Sequence, residues 1–408
     1  MGLVDPDTAS YPQRSDPKHP NTSHPSPTLG PVKLIHTADW HVGRTIRGQS
    51  RHDEQAEVLS EMAKMAESEN VDLVLVAGDL FDTASPTPAS EELVYRTLLQ
   101  LAQVAPVTIV AGNHDHPRRL EAVAPLLQLG RVTVGSVLAR ADEGGVVRPV
   151  PDVRIALIPF LSQRAIVTAD DLMALDGDEH GGKYARRMAA VVDALSVDLA
   201  PDTVNIVMGH VMVHGGDPGG GERSAHTVFD YSIPAQTFPP DLSYVALGHL
   251  HRHQRMPAAA PVWYSGSPLQ LDFGETDDAK GVLLIEVEPG LPAAVEFRAL
   301  SSGRRLRIVR GTLAQIEAVA GEIDPADYVK VVLDESARAG LADTVRQMLP
   351  NAVDVTLDPR RRPEPELRPD RSGRTHEELF AEYLGEQDAL DPRLVKLFAG
   401  LVEEAHEA

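Results

Sequence analysis

The chain has 408 residues, 42% of them hydrophobic, enough to bury a large core and to divide into more than one domain. It contains no cysteine, which excludes disulfides, thiolate metal ligands and a thiol nucleophile. A formal net charge of −22 argues against a free-standing, nonspecific DNA binder, because such proteins carry a basic footprint.

Residues 1–31 are rich in Pro, Ser, Thr, Asp and His with little to pack, and predict a disordered extension. They lack the charged-then-apolar layout of a secretory signal. No apolar run approaches the roughly 20 residues of a membrane span. With the missing cysteines, this fits a reducing cytoplasm. Folding is expected to begin at the strand Val32–Ile35, followed by a helix on which Val58, Leu59, Met62, Met65 and Ala66 recur at helical spacing. The runs 71–77 (VDLVLVA) and 107–111 (VTIVA) are almost wholly apolar, as strands covered on both faces are. Further strands are expected at 155–160, 204–208, 244–247, 262–265 and 282–287. The first domain is drawn as 32–300.

Residues 301–357 read as a small separate α/β unit. The stretch 358–374 (DPRRRPEPELRPDRSGR) is a proline- and charge-rich linker. In the segment 375–408, Thr375 and Glu378 form a capping-box pattern before Leu379, Phe380, Tyr383 and Leu384. Asp391-Pro392 then opens a helix whose apolar face is Leu394, Val395, Leu397, Phe398, Leu401 and Val402. Two short amphipathic helices behind a linker suit docking into a partner's groove, with packing back on the parent domain as the alternative.

Five short signatures recur at the ends of the expected strands: Asp39-Trp40-His41, Gly78-Asp79, Gly112-Asn113-His114-Asp115, Gly209-His210 and Gly248-His249-Leu250-His251. Their oxygen and imidazole groups, without sulfur, suit manganese, iron or zinc better than a structural zinc knot. Taken singly, most are uninformative, since Gly-Asp after a strand is often only a turn. In series at strand ends they mark a two-metal phosphoesterase centre, where two cations sharing a carboxylate supply a nucleophile at neutral pH and neutralise phosphoryl oxygens.

This order of signatures resembles the calcineurin-like metallophosphoesterases. The stretches His36–Gly43, Val76–Asp82, Ala246–Arg252 and Tyr264–Pro268 are most similar to the nuclease subunits of bacterial DNA-repair complexes. The resemblance implies an α/β fold, a four-layer α/β/β/α sandwich, with a small α/β capping domain and C-terminal helices. It implies that Asp39, His41, Asp79 and His251 hold one metal and Asp79, Asn113, His210 and His249 the other, most characteristically Mn2+. It gives His114 the task of protonating the leaving oxygen or stabilising charge on the phosphate, with Asp115 orienting its ring. It further implies 3′→5′ exonuclease action on double-stranded DNA and endonuclease action on single strands or hairpins, in repair, recombination and replication. The implied partners are DNA, an SMC-like coiled-coil ATPase and a second copy of the chain within a heterotetramer, at the nucleoid. A small-molecule or cyclic-nucleotide phosphodiesterase would carry nearly the same metal site, and a scaffold without turnover would not need the complete ligand set.

Arg44, Arg47, Arg51 and Arg118, with Arg119, follow two of the signatures and could meet backbone phosphates; ordinary solvated arginines are the alternative. Trp40 reads as packed and His36 as a core or supporting residue. Asp82 is either a turn residue or a hydrogen-bonding neighbour of the site. Gly215–Glu222 lacks a Gly-Lys-Ser/Thr ending and reads as a loop beside the site, not a nucleotide cradle.

Overall fold

A computed structural model describes residues 30–162, 183–197, 199–200, 202–222, 232–361, 376–386 and 391–407. The expected extension therefore lies almost wholly outside the described residues, as do most of the expected linker and the Thr375 cap. Two compact units divide the chain: the first runs to Gly303, and the second begins at Arg304 and also takes in Ile46–Gln49.

The first unit is built on two six-stranded sheets. In one, the order is Ala294–Ala299, Gly281–Val287, Val32–Thr37, Leu73–Val76, Val107–Val110, Val132–Gly135. The last four are parallel, and Val32–Thr37 also pairs antiparallel with Gly281–Val287. The other has the order Gln254–Arg255, Val262–Tyr264, Tyr244–Gly248, Val204–His210, Val153–Ile158, Val146–Val147, with its four central strands parallel.

The alternation of side chains along each strand produces the layers. Val74 and Val76 join a core with the helices His52–Ser68, Pro88–Val104 and Pro117–Leu129, through Met62, Leu98 and Leu120. Leu73 and Leu75 point the other way and meet Ile155, Leu157, Ile206 and Tyr244 of the second sheet. Ala156 and Ile158 in turn face the helix Lys183–Ser196 through Met188 and Val192. Helix, sheet, sheet, helix is thus the layer order, and the central strands of either sheet are buried on both faces. That is why the 71–77 and 107–111 runs carry no polar alternation. Helix starts follow local chemistry: at Pro88–Val104 the Ser90 N–H donates to Thr87 Oγ1 at 3.2 Å, with proline in the first turn. The sheet-edge strands Val132–Gly135 and Ala294–Ala299, and the helices Pro88–Val104 and Pro117–Leu129, had not been marked out from the sequence.

In the second unit a three-stranded parallel sheet has Tyr328–Leu333 between Leu306–Gly311 and Ala352–Leu357. The helices Leu313–Ala320 and Leu341–Met348 close a core around Ile316, Val331, Val345 and Leu349. Two further helices, His376–Glu386 and Pro392–Glu407, meet through Phe380 and Phe398, whose rings stack at 4.2 Å. Tyr383, Leu394 and Leu397 remain exposed.

Candidate metal centre

Every signature stands at the carboxyl end of a strand in the first unit. Asp39 and His41 follow Val32–Thr37, Asp79 follows Leu73–Val76, and Asn113, His114 and Asp115 follow Val107–Val110. From the other sheet, His210 ends Val204–His210, and His249 and His251 follow Tyr244–Gly248. The turns are stacked on one another: Asp39 N–H donates to Gly78 O, and His41 N–H to Asp79 O, each at 3.0 Å.

These turns are strained where the chemistry sits. Of eight non-glycine residues with positive φ among the described residues, four are Asp39, His41, Asp79 and His249. Left-handed backbone costs such residues of order 1 kcal/mol or more each, and it persists where the surroundings over-determine it. The neighbouring glycines show the crowding directly. At Gly78 φ is +92°, and a Cβ there would overlap His210; a Cβ on Gly112 would overlap Asp79. The Gly of Gly-Asp and of Gly-Asn-His-Asp is therefore demanded by the ligand beside it.

Side-chain atoms able to hold a cation converge in three groups: Asp39, His41 and His251, and Asp39, Asp79 and His210, which share Asp39, and a third of His41, Asp82 and His114. Asp79 Oδ2 lies 3.5 Å from His41 Nε2 and 3.5 Å from His210 Nε2, the central placement a bridging carboxylate needs. Asn113 Oδ1 is 2.9 Å from both His210 Nε2 and His249 Nδ1. Because His210 Nδ1 faces Ala77 O at 2.8 Å, the ring must donate there, which leaves Nε2 as an electron-pair donor toward Asn113 and Asp79.

Lone pairs from His210 Nε2, Asn113 Oδ1 and the Asp79 carboxylate thus meet at one place, and a positive charge is what reconciles them. Burial disfavours charge on His210, yet the adjacent Asp79 outweighs it and lifts the ring to about 9, so the positive charge at this place is either a second proton on Nε2 or a cation that displaces that proton. Asp79 itself lies well below the usual carboxylate range, because His210 and His41 overcome its burial. Burial pushes Asp39 up to about 7 and His41 down to about 4, so His41 stays neutral, as a ligand must. Both ring nitrogens of His41 are buried without a hydrogen-bond partner. An orphaned buried imidazole is costly unless a ligand takes it up. On these grounds the residues fit a pair of divalent cations.

The structure corrects several expectations. Asp115 does not orient His114: its carboxylate accepts the N–H groups of Leu80, Phe81 and Gly112 at 3.3, 3.1 and 2.9 Å, pinning the turns together. The ring of His114 is held instead through Nδ1, 2.7 Å from Asp82 O, while its backbone N–H donates to Asp79 at 2.8 Å. Arg51 is buried, 1% exposed, against the Glu54 carboxylate at 2.7 Å, so it cannot meet a phosphate. Arg119 pairs with Glu91, Arg47 with Asp354 and Arg44 with Asp82, at 2.7, 2.8 and 3.1 Å. Arg118 is exposed at the start of the helix Pro117–Leu129, without an ion pair among the described residues.

Other readings hold their ground. Trp40 is buried, with its indole N–H on Thr37 Oγ1 at 3.0 Å, and His36 is a core residue 2.8 Å from Tyr244 Oη. Asp82 stands 3.4 Å from His41 Nδ1 and supports the site as well as turning the chain. The 215–222 loop reaches the site through Glu222, which accepts the His251 N–H at 2.9 Å.

Sequence reading missed Glu275 and Lys280, although Glu275 lies 2.9 Å from His251 Nδ1. No motif surrounds them and their spacing matches no helix or strand face. Phe160, which stacks over His249 at 6.3 Å, was read only as the last residue of a strand.

Residues 32–253 match the calcineurin-like phosphoesterases, and the chain belongs to that family of metal-dependent phosphodiester hydrolases. Among characterised proteins it is similar to SbcD, a subunit of the nuclease SbcCD, from Bacillus subtilis (strain 168), 34% identical over 67% of this chain and 71% of that one. The SbcD of Rhodobacter capsulatus is 33% identical over 64% and 67%, and that of Escherichia coli (strain K12) 31% identical over 70% and 73%. Among the described residues no helix is long and apolar enough to cross a membrane.

Proposed function

We propose that this chain is the nuclease subunit of an SbcCD-type complex, cutting DNA phosphodiesters with two divalent cations, manganese as the working ion. The observation that carries the reading is the convergence of Asp39, His41, Asp79, Asn113, His210, His249 and His251 from both sheets. Similarity to the SbcD nucleases over about two thirds of each chain supports the substrate.

Asp39, His41, Asp79 and His251 would hold one cation, and Asp79, Asn113, His210 and His249 the other. When bound, the pair supplies a nucleophile at neutral pH and neutralises the phosphoryl oxygens. The chain's own residues do the rest. His114 keeps Nδ1 on the Asp82 carbonyl, which leaves Nε2 for the substrate side, and it is the imidazolium form, protonated at both nitrogens, that gives the Nε2 proton to the leaving oxygen. Asp115 holds three backbone N–H groups and thereby keeps the Asp79 and Asn113 turns in register. Arg118, and Arg44 beside Asp82, supply positive charge for backbone phosphates.

The partner in this reading is SbcC, an SMC-like coiled-coil ATPase, with the nuclease chain dimeric inside a heterotetramer at the nucleoid. A net charge of −22 is compatible with that arrangement, since the partner then supplies much of the DNA affinity. The exposed Tyr383, Leu394 and Leu397 of the C-terminal helices offer the apolar face such a partner grips.

The test is turnover of a DNA hairpin and of linear duplex with manganese, with and without the ATPase, against a cyclic nucleotide as control. Manganese-dependent hairpin cleavage is expected. Cyclic-nucleotide turnover with inert DNA would replace the nuclease by a small-molecule phosphodiesterase.

A further inference from the structure

Four imidazoles face the proposed cations, and they are backed differently. His210 Nδ1 rests on a backbone carbonyl, Ala77 O, at 2.8 Å. His41 Nδ1 has the Asp82 carboxylate at 3.4 Å, beyond an ordinary hydrogen bond, and His249 offers its own Nδ1 to Asn113. Behind His251 stands a complete charged frame. Glu275, fully buried, places Oε1 2.9 Å from His251 Nδ1. Its Oε2 takes the Lys280 ammonium at 2.7 Å and the Leu271 N–H at 2.9 Å. Lys280 Nζ donates as well to His251 O at 2.8 Å and to Ser267 Oγ at 3.0 Å. Glu222 takes the His251 N–H at 2.9 Å. The ring, the N–H and the carbonyl of this one residue are thus each held by a charged side chain.

We propose that Glu275 is a positioning residue for His251: it accepts the Nδ1 proton, so that Nε2 is the atom offered to a cation, while Lys280 locks the carboxylate. The proposal rests on the two-cation reading of the site. A carboxylate behind a ligating imidazole fixes its tautomer and raises its basicity. Here burial opposes charge on Glu275, but the hydrogen bond from His251 and the Lys280 ammonium hold its carboxyl down at about 2.

The hydrogen-bond inventory makes the claim sharp. In Glu275→Gln the amide must give its carbonyl oxygen to the two donors Lys280 and Leu271, which leaves its NH2 toward His251 Nδ1. The ring must then accept at Nδ1 and carry its proton on Nε2, the tautomer that cannot ligate. The substitution reverses the ring's chemistry with almost no change in shape.

Two measurements on the full-length protein test this. Titration of manganese alone by calorimetry should show two sites in the unsubstituted protein, one of them weakened about 10–100-fold in Glu275→Gln. Glu275→Asp, which keeps the carboxylate, should recover part of the loss. Nitrogen-15 chemical shifts of the His251 ring in metal-free protein at alkaline pH, identified by their loss in His251→Gln, should report a proton on Nδ1. They should report it on Nε2 in Glu275→Gln. A proton on Nε2 in the unsubstituted protein would overturn the proposal without any variant having to fold, as would two unaltered affinities in Glu275→Gln. If the unsubstituted protein bound no manganese, the cation reading itself would fall, and that result is distinct from the other two.

Discussion

The two sheets bring different chemistry to the same place. The strand ends of the Val32–Thr37 sheet deliver mostly oxygen, from Asp39, Asp79 and Asn113, with His41 as the exception. The strand ends of the Tyr244–Gly248 sheet deliver only imidazole, from His210, His249 and His251. Neither set makes a dinuclear site alone: three oxygens and one ring lack nitrogen for the second position, and three rings lack a bridge. The halves are tied across the gap by His249 N–H donating to the Asp39 carboxylate at 3.1 Å and by His210 on Ala77 O. The inter-sheet core of Leu73, Leu75, Ile155 and Ile206 therefore has a functional duty, because it sets the distance between charge and ligand.

The largest effect should come from Asp79, the residue proposed to bridge both cations. Asp79→Asn should remove both cations and lower DNA cleavage about 10⁴-fold, a loss of several kcal/mol of transition-state stabilisation. His210→Gln should cost a single cation. Metal content by mass spectrometry separates the two variants, and equal stoichiometries would break the division between sheets.

His114→Gln comes next. Cleavage should fall about 10³-fold with both cations retained if, as proposed, the ring moves a proton and is not a ligand. Loss of metal along with rate would make His114 a ligand after all.

Arg51 tests the boundary of the oxygen-bearing half. Arg51→Met takes the guanidinium away from the buried Glu54 carboxylate, and should destabilise the protein by about 3–5 kcal/mol in denaturant unfolding. The salt dependence of DNA binding should stay as it was. A changed salt slope in a stable protein would return Arg51 to the substrate path.

The smallest effect is expected at the rim. Arg118→Glu should weaken binding to all DNA sequences alike and reduce the salt slope by about one. An unchanged slope would leave the rim without a phosphate contact on this helix.

Much of this was legible from the chain alone. The apolar runs at 71–77 and 107–111 are doubly covered strands, and Gly-Asp and Gly-Asn-His-Asp stand at their ends because glycine alone fits against the ligand. These are local constraints, written in residues a few positions apart. The edge strands Val132–Gly135 and Ala294–Ala299 were missed because their shorter or mixed patterns gain definition only from the neighbour they pair with.

Which donors exist, and that they stand at strand ends, followed from the amino-acid order. How their protons and charges are disposed did not. The family resemblance made Asp115 the partner of His114, but the carbonyl of Asp82, from another turn, is what holds that ring. Arg51 looked like a rim cation until packing closed Glu54 and Gln270 over it. Glu275 carried no signal at all, for its meaning depends on meeting His251 and Lys280 in the folded chain. Hydrogen bonds and burial are properties of position in space, so tertiary structure alone assigned a partner to each titratable group.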